Sequence, residues 1–435
     1  MRIGIVGGGV AGLAAAYFLS EQGHQVDVFE RAPELGGLAG SVEFAGLRVE
    51  KYYHFICRDD TDLLRLLPRL QLADEVEWRP GSMRFFYQGN LYPFGTPWDL
   101  LRFRPLSLLD RIRFGCNVAL YRSATGWRRL EPYRAREWLE ARFGARTYQV
   151  IWDPLLRMKF GPHADDVTAA WMWHRIHRLA RSRPHMLARE QLGFLKRGTD
   201  VLLARLIEIL SGRGVGLHVR ASVERLAVAD NRVRGLEVAG TFRPYDAVVS
   251  TAPLPVLAQL LPDSHAGLGQ QLRSIDYLAV VCVLLRLREA FSDGFWVNVH
   301  DPEIPFNGFV EYTNLNPRHD AAQPHLLYVP FYLPPGDPRY QWPDAQFIAA
   351  CVQGLRRIRA DFDESHVLAA QVFRDRFAQA ICTVNFSRRI PPLRAPLAGL
   401  FLTDSTQLYP SDRTISGMIG LAERVAREIG AGLQV

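Results

Sequence analysis

Lysine is nearly absent from this chain. Only Lys51, Lys159 and Lys196 stand among its 52 basic residues, so arginine carries almost all of the positive charge. Cysteine is scarce as well: Cys57, Cys116, Cys282, Cys351 and Cys382 lie far apart and form neither a CxxC pair nor a disulfide ladder. That spacing argues against a disulfide scaffold or a cysteine metal site, and leads us to expect buried free thiols in a reducing compartment. Long apolar runs are missing too. The longest strongly apolar stretch, Tyr277 to Leu285, is too short to cross a bilayer as a helix. The chain enters its first apolar stretch at once, without a positively charged leader, so the expected location is the cytoplasm or the cytoplasmic face of a membrane. A formal net charge of +7 comes with no nucleic-acid-binding motif; it suits an anionic membrane or a phosphorylated substrate.

What is present begins at the N-terminus. Ile3, Ile5 and Val6 read as a buried strand, Gly7-x-Gly9-x-x-Gly12 turns the chain into an apolar helix, and Gln25 to Phe29 offers a second strand that ends at Glu30. This is a βαβ unit with a dinucleotide fingerprint. Gly7 permits the tight turn, Gly9 lets a diphosphate approach the backbone, and Gly12 lets helix and sheet pack closely. Free N–H groups at the helix start favour the diphosphate, and Glu30 is placed to accept ribose hydroxyls. Arg31 follows beside the ribose position, and the pair Gly36-Gly37 can bring backbone close to a long cofactor. With 435 residues and 48% apolar composition, the chain can bury one large core or two to three smaller ones.

Fingerprint, ribose acid, basic residue and second glycine pair together resemble the large FAD-dependent superfamily that contains protoporphyrinogen oxidases, phytoene desaturases, flavin amine oxidases and UDP-galactopyranose mutases. The resemblance implies an α/β fold: a Rossmann-like FAD-binding domain with an inserted helical cap and a mixed-sheet substrate domain. Many relatives follow the glycine pair with Arg or Asn facing the diphosphate; Leu38 stands there instead. The resemblance also implies a His-bearing loop against the flavin in the segment Val49 to Asp59, where His54 follows Tyr52 and Tyr53. A satisfied structural histidine is the alternative.

The implied boundaries are 1–96 for the first part of the FAD domain, 97–198 for the cap, 199–255 for the return to the FAD domain, 256–390 for the substrate domain and 391–435 for the closing FAD segment. In the cap, Leu108, Leu109, Ile112, Cys116, Ala119 and Leu120 recur on one helical face among many arginines, which suits either enclosure of an apolar substrate or contact with anionic lipid. Helical patterns also run over Ala135 to Phe143 and Thr147 to Phe160. In the return segment the resemblance places Val223 near adenine. In the closing segment it places Asp404 near the diphosphate or ribityl chain and the backbone of Gly417 and Met418 at the flavin's N1/O2 edge. Many flavin amine oxidases put a lysine on a substrate-domain strand, where it holds water near the flavin, whereas no lysine follows Lys196 here.

The function these features imply is hydride transfer from an organic, apolar or lipid-linked substrate to FAD, with no metal and no nucleic acid. His54 is the main candidate for orienting substrate or exchanging a proton, with Tyr312 and Tyr409 behind it. A redox-neutral, flavin-dependent sugar-nucleotide mutase is the alternative.

Overall fold

The computed structural model describes residues 1–183, 188–317 and 325–431. The chain opens with β1 (Arg2–Val6), the helix Val10–Glu21 and β2 (Gln25–Phe29), followed by the hairpin β3 (Ser41–Phe44) and β4 (Leu47–Glu50). After the helix Thr61–Arg69 come β5 (Val76–Pro80), β6 (Met83–Tyr87) and β7 (Asn90–Pro93), then a helical stretch over residues 97–181. β8 (Gln191–Leu195) and the helix Asp200–Gly212 lead to β9 (Gly216–His218) and the meander β10 (Val223–Ala229), β11 (Arg232–Val238) and β12 (Thr241–Pro244). The remainder carries β13 (Ala247–Ser250), β14 (Tyr277–Leu287), β15 (Trp296–His300), β16 (Gly308–Glu311), β17 (His325–Leu333), the helix Asp344–Ile358, β18 (Val367–Ala380), β19 (Leu400–Leu402) and the helix Ile415–Ala431.

Two sheets organise these elements. The first is parallel, in the order β19-β13-β1-β2-β9. Its central strand β1 is buried from Ile3 to Val6, as expected of a parallel strand covered on both faces. Small residues let the helix Val10–Glu21 lie close on this sheet, and ten consecutive residues of it, Val10 to Leu19, are buried. The final helix packs into the same core through Ile419, Ala422, Val425, Ala426 and Ile429, a spacing that keeps one helical face inward.

The second sheet has seven strands in the order β18-β14-β17-β16-β15-β6-β7, antiparallel throughout except where β15 meets β6. β14, flanked by β18 and β17, is buried along almost its whole length. This arrangement departs from the sequence boundaries in two places. Residues 83–93, which the boundary at 96 leaves with the first FAD segment, join the large sheet because β6 pairs with β15. Residues 191–195, assigned to the cap, instead pair with β5 and return the chain to the core.

The stretch predicted as one helix from Thr147 to Phe160 is interrupted by a wide π turn over Tyr148–Trp152 before the helix Asp153–Phe160. Pro154 explains the irregularity, since it has no N–H to offer the Val150 carbonyl four residues back. His300 at the end of β15 supplies the missing donor: its Nδ1 lies 2.8 Å from that oxygen. The cap is thereby tied to the large sheet.

The helix Leu108–Ser123 shows a second departure. Its apolar stripe faces outward, with Leu108, Leu109, Ile112 and Leu120 exposed, while Phe114 and Tyr121 on the opposite side are buried. Cys116 lies on the exposed side too, contrary to the expectation of five buried thiols; the other four cysteines are buried. None of the described helices is long and apolar enough to cross a membrane.

Candidate active site

A single cavity of about 1200 Å³ runs from the glycine turn after β1 to the inner face of the seven-stranded sheet. It exceeds the roughly 300–1,000 Å³ of an ordinary small-ligand site, so it has room for a long cofactor together with a second molecule.

At the sheet end of β1 the backbone itself forms the wall. Gly7 sits at φ +103°, which an L side chain rarely adopts. A Cβ on Gly12 would fall 1.9 Å from the Gly7 carbonyl oxygen, so only glycine lets the helix start this close to the turn. Gly9 differs in kind. A Cβ there would meet nothing of the protein nearer than 3.9 Å and would project into the cradle between Gly9 and Gly37. Gly36 and Gly37, both at positive φ, close the other side, and Gly36 N–H donates to the Gly8 carbonyl at 2.8 Å. Glu30 is fixed by two backbone donors, Gly8 N–H and Ala32 N–H, each at 2.8 Å and each to a different carboxylate oxygen. A carboxylate oxygen has more than one acceptor direction, so Glu30 keeps capacity for ligand hydroxyls. Arg31, Leu38 and Val223 line the same end, and Val223 is the first residue of β10.

Further along, Asp404 lines the cavity after β19. Its Oδ1 accepts from Thr406 N–H at 2.8 Å and from the Tyr277 hydroxyl at 2.9 Å. Burial raises its pKa against those hydrogen bonds. The start of the final helix contributes Ile415, Ser416 and Met418 to the wall. Gly417 does not line the cavity. It turns toward Leu408, whose side chain would lie 2.7 Å from an added Cβ, and its N–H donates to Thr414 Oγ1 at 2.9 Å.

The three candidate catalytic side chains separate. His54 lines the chamber; its Nδ1 is buried without a hydrogen-bond partner among the described residues. Burial first, and the Arg413 charge second, push its pKa down to about 4, so the ring is neutral at physiological pH. That protonation state suits a fixed hydrogen-bonding group better than a group exchanging protons near pH 7. Tyr312 is buried on the chamber wall, edge-on to Tyr328. Tyr409 lies outside the cavity. It packs against Trp127 and Phe386, its hydroxyl is 3.5 Å from Thr168 Oγ1, and it touches no chamber space from which it could act on a substrate.

Of the side chains at the chamber end, Lys159, Arg175, Asp412 and Arg413 escaped the sequence reading. The chamber end is built by Tyr53, Lys159, Arg175, Tyr332, Asp412 and Arg413, drawn from five separate segments. Asp412 accepts from Trp171 Nε1 at 2.8 Å, from Arg175 at 2.6 Å and from Gln379 at 3.2 Å. Burial works against its charge, yet Arg175 and Lys159 hold its pKa at about 2. One signal was available in the sequence. In a chain that uses arginine nearly everywhere, two of the three lysines, Lys51 and Lys159, line this cavity. Among the described residues no group of side chains is arranged to hold a metal ion.

A parallel sheet whose glycine turn opens through one cavity onto an aromatic chamber is a dinucleotide-binding architecture of two lobes. A family model for flavin containing amine oxidoreductases matches residues 10–429, and the chain belongs to that family. It is 23% identical over 398 residues to a zeta-carotene desaturase of Zea mays, covering 80% of this chain and 69% of the relative. It is also 23% identical over 320 residues to a 15-cis-phytoene desaturase of Synechococcus elongatus, covering 67% of each. Among solved structures, reduced UDP-galactopyranose mutase matches with a TM-score of 0.76 at 14% identity, covering 99% of this chain and 94% of that one. Such a likeness concerns the fold alone.

Proposed function

We propose that the chain binds FAD along this cavity and oxidises an organic, largely apolar substrate by hydride transfer. The observation that carries the reading is the continuity of the cavity: a glycine cradle at one end and an aromatic chamber at the other share one continuous space. The local fit supports it. The cradle at Gly9 is filled by nothing of the protein, and His54 Nδ1 is an orphaned polar atom on the chamber wall. When bound, FAD would supply the acceptor for a hydride from a substrate C–H or N–H bond.

The chain's own residues do the rest. Gly7, Gly9, Gly36 and Gly37 admit the diphosphate to the helix start, where N–H groups and the helix dipole favour negative charge. Glu30 accepts ribose hydroxyls, with Arg31 beside it; Val223 borders the adenine end and Asp404 the ribityl chain. Lys51, whose backbone N–H donates to the Gly40 carbonyl just past the glycine pair, brings a cation to the stretch where Leu38 has none. The start of the helix Ile415–Ala431 would turn its free N–H groups toward a bound flavin and favour negative charge there. His54, neutral, orients substrate; the aromatic walls exclude water.

The test is anaerobic mixing of FAD-loaded protein with candidate substrates. Substrate-dependent bleaching of the flavin absorbance is the expected result. Turnover that appears only after the flavin has been chemically reduced, with no net bleaching, would point to the mutase chemistry instead.

We further propose that the outer face of the helix Leu108–Ser123 rests on an anionic membrane. Leu108, Leu109, Ile112 and Leu120 are exposed there, and Trp98 and Leu101 extend the apolar surface. Arg102 and Arg104 border it, exposed. The acids of this stretch cap its helices: Asp99 accepts from Gly95 and Thr96 N–H, and Asp110 from the Ser107 hydroxyl. Over residues 97–123 five arginines stand against these two acids, so the stretch is net positive, which complements anionic headgroups.

A further inference from the structure

Lys159 is a buried lysine without a counter-ion of its own. Its residue exposure is 6%, it lines the chamber, and it makes no hydrogen bond or ion pair with any described residue. Its ammonium lies instead 4.6 Å from the Tyr332 ring, 5.3 Å from that of Trp171 and 5.6 Å from that of Phe160. Aromatic faces offset part of the cost of burying a cation, yet they give it no acceptor for its three N–H bonds. The closest acid, Asp412, is already engaged by Arg175, Trp171 and Gln379. Arg413 lines the same space, also without an ion pair or hydrogen bond among the described residues. The chamber thus presents Lys159 as a buried cation with no acceptor among the described residues, with the exposed Arg413 lining the same space, while Asp412 is spoken for.

We propose that this end of the chamber is a subsite for the anionic end of an otherwise apolar substrate, a carboxylate or a phosphate, with Lys159 as its recognition residue. The proposal rests on the reading of the cavity as a flavin and substrate chamber and adds the class of substrate to it.

The electrostatics give the subsite a measurable mark. Burial, and then Arg175, lower the Lys159 pKa to about 7. The other groups around it, on every packed element, hold fixed states near pH 8. Arg175 and Arg413 are charged. Asp412 is ionised, His174 beside Arg175 is neutral with its pKa at about 4, and burial keeps the Cys382 thiol and the Tyr332 hydroxyl protonated. An anion that binds at pH 8 therefore draws a proton onto Lys159.

The experiment is calorimetric titration of the FAD-loaded protein at pH 8, in two buffers of different ionisation heat. Benzoate and phenyl phosphate are the probes, and benzamide is the neutral control. The expected result is that one or both anions bind at least tenfold more tightly than benzamide and take up close to one proton. Lys159→Met should weaken anion binding at least tenfold without changing flavin content. Lys159→Arg, always charged, should keep binding but lose the proton uptake. Preference for benzoate over phenyl phosphate would assign a carboxylate end, and the reverse a phosphate. Equal binding of benzamide, unchanged affinity in Lys159→Met, or proton uptake that persists in Lys159→Arg would overturn the subsite. A folded protein that holds no FAD would count against the proposed function instead, so the two failures are separate.

Discussion

Glycine positions in the cradle differ in what a side chain would cost, and that difference can be measured. Gly9→Val has room in the protein but fills the space of the diphosphate, so the variant should fold and lose FAD affinity at least tenfold. Gly12→Val would collide with the Gly7 carbonyl and should fail to fold stably; thermal unfolding and flavin content separate the two outcomes. His54→Ala should slow substrate-driven flavin reduction roughly 10- to 100-fold through lost orientation while flavin content is kept. Unchanged reduction kinetics at full occupancy would remove His54 from the mechanism. His300 makes a pH prediction. Burial holds its pKa at about 4 against an ordinary 6.5, so between those values the unfolded chain binds more protons than the folded one. Its contribution is therefore complete above pH 6.5 and lost as pH falls toward 4, an amplitude of about 3 kcal/mol. His300→Gln, which can still donate to the Val150 carbonyl, should shrink the acid loss of stability seen by urea unfolding at pH 4.5 and 7; equal losses would contradict the assignment. The role of His300 was not legible in the sequence. It depends on Pro154 freeing a carbonyl 150 positions away, and no spacing rule connects the two.

At the level of elements, periodicity reported which segments are helical but not where water lies. The stripe Leu108, Leu109, Ile112 and Leu120 has the repeat of a buried face, yet the chamber takes the other side of the helix through Phe114 and Val118. The membrane proposal follows from that inversion. In flotation with anionic and neutral vesicles, binding should favour the anionic ones and weaken with salt, and Leu109→Glu with Ile112→Glu should abolish it. Equal absence from both vesicle types would rule the contact out. The strands β14 and β19 are legible in the sequence, because one is a continuous apolar run and the other a short apolar triplet before Thr403-Asp404. β18 was not, although it is 14 residues long. Most of its residues are only partly buried, so its sequence VLAAQVFRDRFAQA lacks an apolar run or a clean alternation.

Across the whole molecule, the two ends of the chain carried the readable signal and the middle did not. β1 and the helix after it, β13 and β19 come together in one parallel sheet, so the fingerprint and Asp404 reach the same cavity from opposite termini. The chamber end is assembled from single residues on the cap, the large sheet and the loop before the last helix. Lys159, Arg175 and Asp412 belong to no contiguous motif, which is why composition hinted at them only through the rarity of lysine. The central claim is that this cavity holds FAD. It is tested most directly by stripping the purified protein of bound nucleotide, confirming that it remains folded, and titrating it with FAD while following absorbance and calorimetric heat. The account predicts saturation at one FAD per chain with recovery of the flavin band, and loss of that binding in folded Gly9→Val. A folded chain that takes up no FAD, or a Gly9→Val variant that binds it as tightly as the native protein, would contradict it.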